Sequence, residues 1–243
     1  MMRRMKVPLF APVVMGKKKQ THLQKILATR PASLIGAWGI SDPSGTTCTD
    51  SSPAANNGTY TNITLGQPGY GGALCGLIDN VADAISVVAT VAGDFNGVAG
   101  TVGGLFKVAN AGVWTDGVSG RFFRFWYNAS NQVSIYKATA SNLIYLSYIA
   151  GGTDKSVSYN WVSPSTDWFS IYFTWDASAD QVKAFINGAQ VGSTLTGLGT
   201  WTGTIVLGEL GAGSGAAHLG WIEDCGLWTA ALTPAEITNI GVL

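Results

Sequence analysis

The residues that could act as acids, bases or nucleophiles are few. The chain has three glutamates, Glu209, Glu223 and Glu236, and two histidines, His22 and His218. Hydrolysis of a glycosidic bond needs two carboxylates flanking the bond from one face. No two of the glutamates are four or five residues apart, so strand alternation supplies no such pair. Asp79 and Asp83 are too thinly supported to replace them. His218 sits in a glycine-rich stretch, LGAGSGAAHLG, and has no serine or cysteine nucleophile in a recognisable turn. It reads as a surface loop residue. No catalytic residue is assigned, and an enzyme is the weakest functional class.

Metal and sugar chemistry leave more candidates. Calcium takes about six to eight oxygen ligands, which turn-rich Asx loops can supply. The candidates are Asp50, Asn57 and Glu223. The same Asp50 and Asn57 would also hydrogen-bond their own turns between Asp50 and Gly58, and this second explanation is preferred. Cys48, Cys75 and Cys225 are an odd set without CxxC spacing. They fit one disulfide plus a thiol, or no disulfide, and are too scattered for zinc. Sugars stack their C–H faces on aromatic rings. Trp114, Trp161 and Trp201 lie near turns and are the candidate ligand-binding residues. Trp38, Trp175, Trp221 and Trp228 fall in alternating strands and read as core.

Charge is unevenly spread. Residues 1–30 carry eight of the 14 basic residues and none of the 14 acidic ones, so the remainder has a formal charge of −8. Arg3, Arg4, Lys6, Lys17, Lys18, Lys19 and Lys25 form a basic N-terminal arm suited to docking on an acidic partner. The first fifteen residues imitate a signal peptide. Pro8 and Pro12 interrupt the apolar run, no A-x-A site follows, and Lys17-Lys18-Lys19 is the wrong flank. No stretch is long and apolar enough to span a membrane as a helix, so no membrane partner is expected. The acidic body is a poor surface for nucleic acid.

These residues must be positioned by β-structure. From Phe169 to Trp175 apolar and more polar residues alternate, with Phe169, Ile171, Phe173 and Trp175 on one buried face. Val182, Ala184 and Ile186 repeat the pattern, and Asn187-Gly188 supplies a type I′ hairpin turn. Further strands are expected at 102–108, 121–127, 132–137, 143–148, 156–161 and 203–208. Thr21–Thr29 reads as a short helix ended by Arg30-Pro31. Thr233-Pro234 with Glu236 marks the start of a short C-terminal helix.

Three stretches carry a resemblance to laminin-G-like domains of the concanavalin A-like lectin and glucanase superfamily. One is Trp175-Asp176, a short turn, then VKAFINGAQVGS. The second runs from Leu34 to Gly69 and contains Trp38, Asp42–Gly45 and Asp50–Gly58. The third is WIEDCGLWTAALTPAEITNI. Between them, Ile78-Asp79-Asn80 and Asp83 occupy the places of a family Phe-Asp-Gly segment. The likeness spans about residues 33–240. It implies an all-β, concanavalin A-like jelly-roll sandwich of two antiparallel sheets at 33–243, preceded by the basic arm at 1–32. It also implies binding of sugars or proteins, with calcium in many members. Related glucanases use a Glu-x-Asp-x-(x)-Glu strand, which this chain lacks.

The expected function is that of a non-enzymatic virion protein, a capsid decoration or tail-associated adhesin. Its arm would dock on other virion proteins, and its jelly roll would face a host-surface glycan. A homo-oligomer, by analogy a trimer, fits such a role. The competing classes are a secreted or cell-surface bacterial carbohydrate-binding module and, third, a glycoside hydrolase.

Overall fold

A computed structural model describes residues 20–139, 142–161, 165–213, 216–217 and 219–243. In chain order the helices are α1 (His22–Ala28), α2 (Val88–Val91) and α3 (Pro234–Gly241). The strands are β1 (Leu34–Trp38), β2 (Thr47–Cys48), β3 (Gly58–Thr61), β4 (Thr64–Pro68), β5 (Leu74–Ile78), β6 (Ala84–Ser86), β7 (Ala99–Val108), β8 (Gly120–Asn128) and β9 (Asn131–Lys137). They continue as β10 (Leu143–Ala150), β11 (Thr153–Asn160), β12 (Phe169–Asp176), β13 (Gln181–Ile186), β14 (Ala189–Leu195), β15 (Leu207–Leu210), β16 (Ala212–Gly213), β17 (Ala216–Ala217) and β18 (Gly220–Trp228).

Two sheets pack face to face. The first runs β14-β13-β12-β7-β18-β5-β4, with β1 also on β18. The second runs β11-β10-β9-β8-β15-β6-β3-β2, with β17 beside β8. Pairing is antiparallel except where β17 meets β8. The inward side chains make one core, including Trp38, Phe106, Phe123, Phe125, Phe173 and Trp175, all within 1% of fully buried. The chain is thus the all-β sandwich its alternation implies. The Asn187-Gly188 turn has both residues at positive φ, 50° and 76°, as a type I′ hairpin requires.

The expectation of one buried face on β12 is corrected. Ser170, Tyr172 and Thr174 face the other way and are also buried. A second core covers the outside of this sheet, with Ile26 of α1 and Ile237 and Ile240 of α3 packed on Tyr172, Phe185 and Trp228. Both helices are held by capping boxes, Thr21 with Gln24 and Thr233 with Glu236. Arg30 Nε donates to Glu236 Oε1 at 2.6 Å, and Trp228 Nε1 donates to Thr29 O at 2.8 Å.

This places the end of the arm earlier than residue 32. Residues 22–30 are part of the body, and Lys25 donates to Val242 O at 3.2 Å. Arg3, Arg4, Lys6, Lys17, Lys18 and Lys19 lie outside the described residues, as does His218. Cys48, Cys75 and Cys225 are buried free thiols, and burial pushes the first two up to about 12.

Candidate functional site

The outer face of the second sheet differs from that of the first. On β8, Phe123 and Phe125 point into the core, so Arg124 and Trp126 point out. A register irregularity between Arg121 and Phe123 lets Phe122 join the core while Arg121 stays partly exposed. Cross-strand register then builds a polar row of Thr59, Ser86, Glu209, Arg124, Ser134, Ser147 and Ser156 across seven strands. On one side of it runs a row of Arg121, Tyr136, Tyr145 and Ser158. On the other runs Leu207, Trp126, Gln132, Ile149 and Asp154.

The aromatic groups are half-buried and ordered by their neighbours. Tyr136 and Tyr145 stack with centroids 5.4 Å apart and planes 18° apart. The Arg124 guanidinium lies 5.3 Å from the Trp126 ring centroid. Glu209 is only 8% exposed, and its Oε2 has no hydrogen-bond partner among the described residues. Burial raises its carboxyl above the usual range, against the pull of Arg124 and Arg121. Burial and the charge of Arg121 lower the Arg124 guanidinium. The face therefore combines flat rings, fixed cations and a desolvated acceptor short of one donor. That is the chemistry that holds a hydroxylated ring compound.

The residues chosen from sequence are placed elsewhere. Trp114 is fully buried and stacks on Trp161, with centroids 5.4 Å apart, and both pack on Phe169. Trp201 is half-buried against Phe95 and Tyr148. A Cβ added at Gly97 would lie 2.0 Å from its ring, so the ring sits flat on the backbone. The expected sugar platform does not form from these rings, because Trp114 and Trp161 are buried in the core and Trp201 packs against it. Asp50 accepts from Ala37 N, Ser52 N, Ser52 Oγ and Asn56 N at 2.7–2.8 Å. Asn57 Oδ1 accepts from Asp50 N at 2.9 Å. Their oxygens hold the loop to β1, and Glu223 sits on β18 as a separate feature. Among the described residues no cluster of three or more His, Cys, Asp or Glu could hold a metal ion. Glu209 and Glu223 belong to different sheets.

Arg121, Arg124, Trp126, Tyr136 and Tyr145 carry no site signal in the sequence, and Glu209 stands there only as an unpaired acid. The strands were visible, but the irregularity in RFFRFWY hides which residues share a face.

The sequence matches no family model and no curated protein. Solved structures match its fold. The binding domain of botulinum neurotoxin serotype D is similar at TM-score 0.64 and 13% identity, over 86% of this chain and 51% of that one. Domain 4 of AbnA, a GH43 extracellular arabinanase from Geobacillus stearothermophilus in complex with arabinotriose, is similar at TM-score 0.61 and 17% identity, over 86% of this chain and 98% of that one. A botulinum neurotoxin type C structure, whose cell entry depends on interaction with two ganglioside molecules, is similar at TM-score 0.59 and 14% identity, over 87% and 51%. This chain spans about half the length of the toxin domains and nearly all of the arabinanase domain. At these identities the likeness is one of fold, a lectin-like β-sandwich.

Proposed function

We propose that this chain is a non-enzymatic glycan-binding module displayed on a virion through its basic N-terminal stretch. The observation that carries the glycan reading is the polar row bounded by Tyr136, Tyr145 and Trp126, with Glu209 Oε2 left without a donor among the described residues. A sugar ring stacks on the aromatic rows, its hydroxyls donate to Glu209, and Arg121 and Arg124 donate to its oxygens. The arabinotriose and ganglioside ligands of two proteins of similar fold support this reading. The test is binding to a panel of immobilised glycans by the full chain and by Trp126→Ala. At least one glycan should be held by the former and released by the latter. Retention of every bound glycan by the variant, or no binding at all, overturns the reading.

The virion part of the proposal is supported by charge. Arg3, Arg4, Lys6 and Lys17–Lys19 precede a body of opposite sign, which suits docking on capsid or tail subunits or on a neighbouring copy. Because residues 22–30 build the second core, the informative deletion is 1–19. The truncated chain should melt like the full one and fail to join its particle. Full particle occupancy by that truncation refutes the tether.

A further inference from the structure

The pocket beside α1 lies on the other sheet and is not used by the glycan reading. β18 pairs with β5 through Gly220–Ile222 and with β1 through Cys225–Trp228. Between them Glu223 still pairs with Leu105 of β7, the β7 register shifts between Glu223 and Gly226, and Asp224 N donates to Gly39 O at 3.4 Å just beyond β1. Asp224 has φ +47° there, left-handed backbone that an aspartate adopts at some cost. The bulge breaks alternation. Ile222, Cys225 and Leu227 enter the core, while Glu223 and Asp224 both turn outward, into a cavity of about 400 Å³. Its walls include His22, Lys25, Tyr70, Ala73 and Val242.

Two adjacent carboxylates are thus almost out of water, at 1% and 6% exposure. Glu223 Oε2 accepts from Tyr70 N at 2.6 Å, its single hydrogen bond among the described residues. The 69–73 loop closes on that carboxylate, since a Cβ at Gly69 would lie 2.3 Å from Oε2. His22 points at the same place. Its side chain is 3% exposed and its Nδ1 lies 3.4 Å from Asp224 Oδ2, yet Nδ1 makes no hydrogen bond among the described residues. Its Nε2 is already engaged with the Tyr172 hydroxyl at 3.0 Å. Lys25 is turned to the Val242 carbonyl at the rim. A turn staple explains the Tyr70 bond. It does not explain a second buried carboxylate, a strained backbone and a buried imidazole nitrogen that makes no hydrogen bond among the described residues.

We propose that this pocket binds a small organic ammonium ion, its head between Glu223 and Asp224 and its alkyl part against Tyr70, Ala73 and Val242. An ammonium offers three donors and a charge to a pair of desolvated acceptors. A cavity of this size fits a small ligand. A metal ion fits less well, because no three side chains converge at ligating distance among the described residues. Burial and the charge of Asp224 push the Glu223 carboxyl up to about 8.

The experiment is calorimetric titration of the full chain with 1,5-diaminopentane, against potassium chloride and calcium chloride at matched ionic strength. The diamine should bind saturably. Asp224→Asn should weaken it at least about tenfold, the loss of one charge-assisted contact, while melting unchanged, because asparagine tolerates left-handed backbone. Glu223→Gln should weaken it likewise. Trp126→Ala should bind the diamine normally, which separates this site from the glycan face. No saturable binding at millimolar diamine by folded protein overturns the proposal. So does equal binding by a well-folded Asp224→Asn, or displacement of the diamine by calcium.

Discussion

The two sheets have the same kind of inner face and opposite outer faces. Outside the first sheet, Tyr172, Phe185 and Trp228 are covered by α1 and α3 and form a second core. Outside the second, the equivalent outward positions are Ser134, Arg124, Glu209 and Ser147, with half-buried Tyr136 and Tyr145 on one side and Trp126 on the other. The lesson is that alternation locates a strand, whereas the outward residues tell what lies over it. Large apolar groups need a lid of helix. Serines, arginines and ring edges tolerate water and can instead meet a ligand.

The widest test of this contrast is stability. Ile26→Ala should cost about 2–5 kcal/mol, since it empties part of a closed core. For a domain of this size that lowers Tm by about 2–4 °C per kcal/mol. Tyr136→Ala on the open face removes one stacked cross-strand pair, worth about 1 kcal/mol or less. Thermal melts of both variants decide the matter. Equal losses would mean that the second sheet is also covered, and the contrast would fail.

Titration sharpens the same comparison, because Glu223 lies on the covered side. Its folded pKa of about 8 is above its ordinary value of 4.5. The folded chain therefore binds the extra proton, and the group favours folding at low pH. That contribution is lost as pH rises from about 4.5 through 8. Glu223→Gln should flatten this slope and raise stability by something on the order of 2 kcal/mol at pH 8.5, since each pKa unit is about 1.4 kcal/mol. Denaturant melts at pH 5.5 and 8.5 give both numbers. A variant with the wild-type slope would show that Glu223 is solvated.

Much of the fold was legible because its signals are local. The Thr21 and Thr233 caps, the Asn187-Gly188 turn and the alternation of Phe169–Trp175 depend on residues only a few places apart, and the structure has each of them. What was not legible depends on distant contacts. Tyr172 could face water as easily as a helix until α1 and α3, from the two ends of the described chain, are laid over it. The bulge at Asp224 arises because β5 and β1 share one edge of β18, which no neighbouring residue announces. Trp114 and Trp161 lie near turns in sequence, but both rings are buried and stack on each other in the core.

On the open face the effect should appear in binding and not in folding. Glu209→Gln keeps the shape and removes the charge at the acceptor without a partner. It should weaken the best glycan by about tenfold, near 1.4 kcal/mol, and relieve the cost of a buried carboxylate, leaving Tm equal or slightly higher. Affinity and melting measured on the same sample separate the two effects. Unchanged affinity would show that Glu209 serves only the Arg124 and Arg121 cluster.

Calcium should have the smallest effect of all. A calcium site would have to take oxygens from Asp50, which already accepts four hydrogen bonds at 2.7–2.8 Å, and from Asn57, which accepts one from Asp50 N. Each bond given up would strand a donor, at about 1–3 kcal/mol for a buried one. Binding would then have to exceed several such losses before it stabilised the fold. Millimolar calcium should therefore move Tm by less than about 1 °C, because stabilisation by a ligand grows only with its occupancy. A rise of several degrees, reversed by chelator, would show that the 50–57 loop rearranges around an ion.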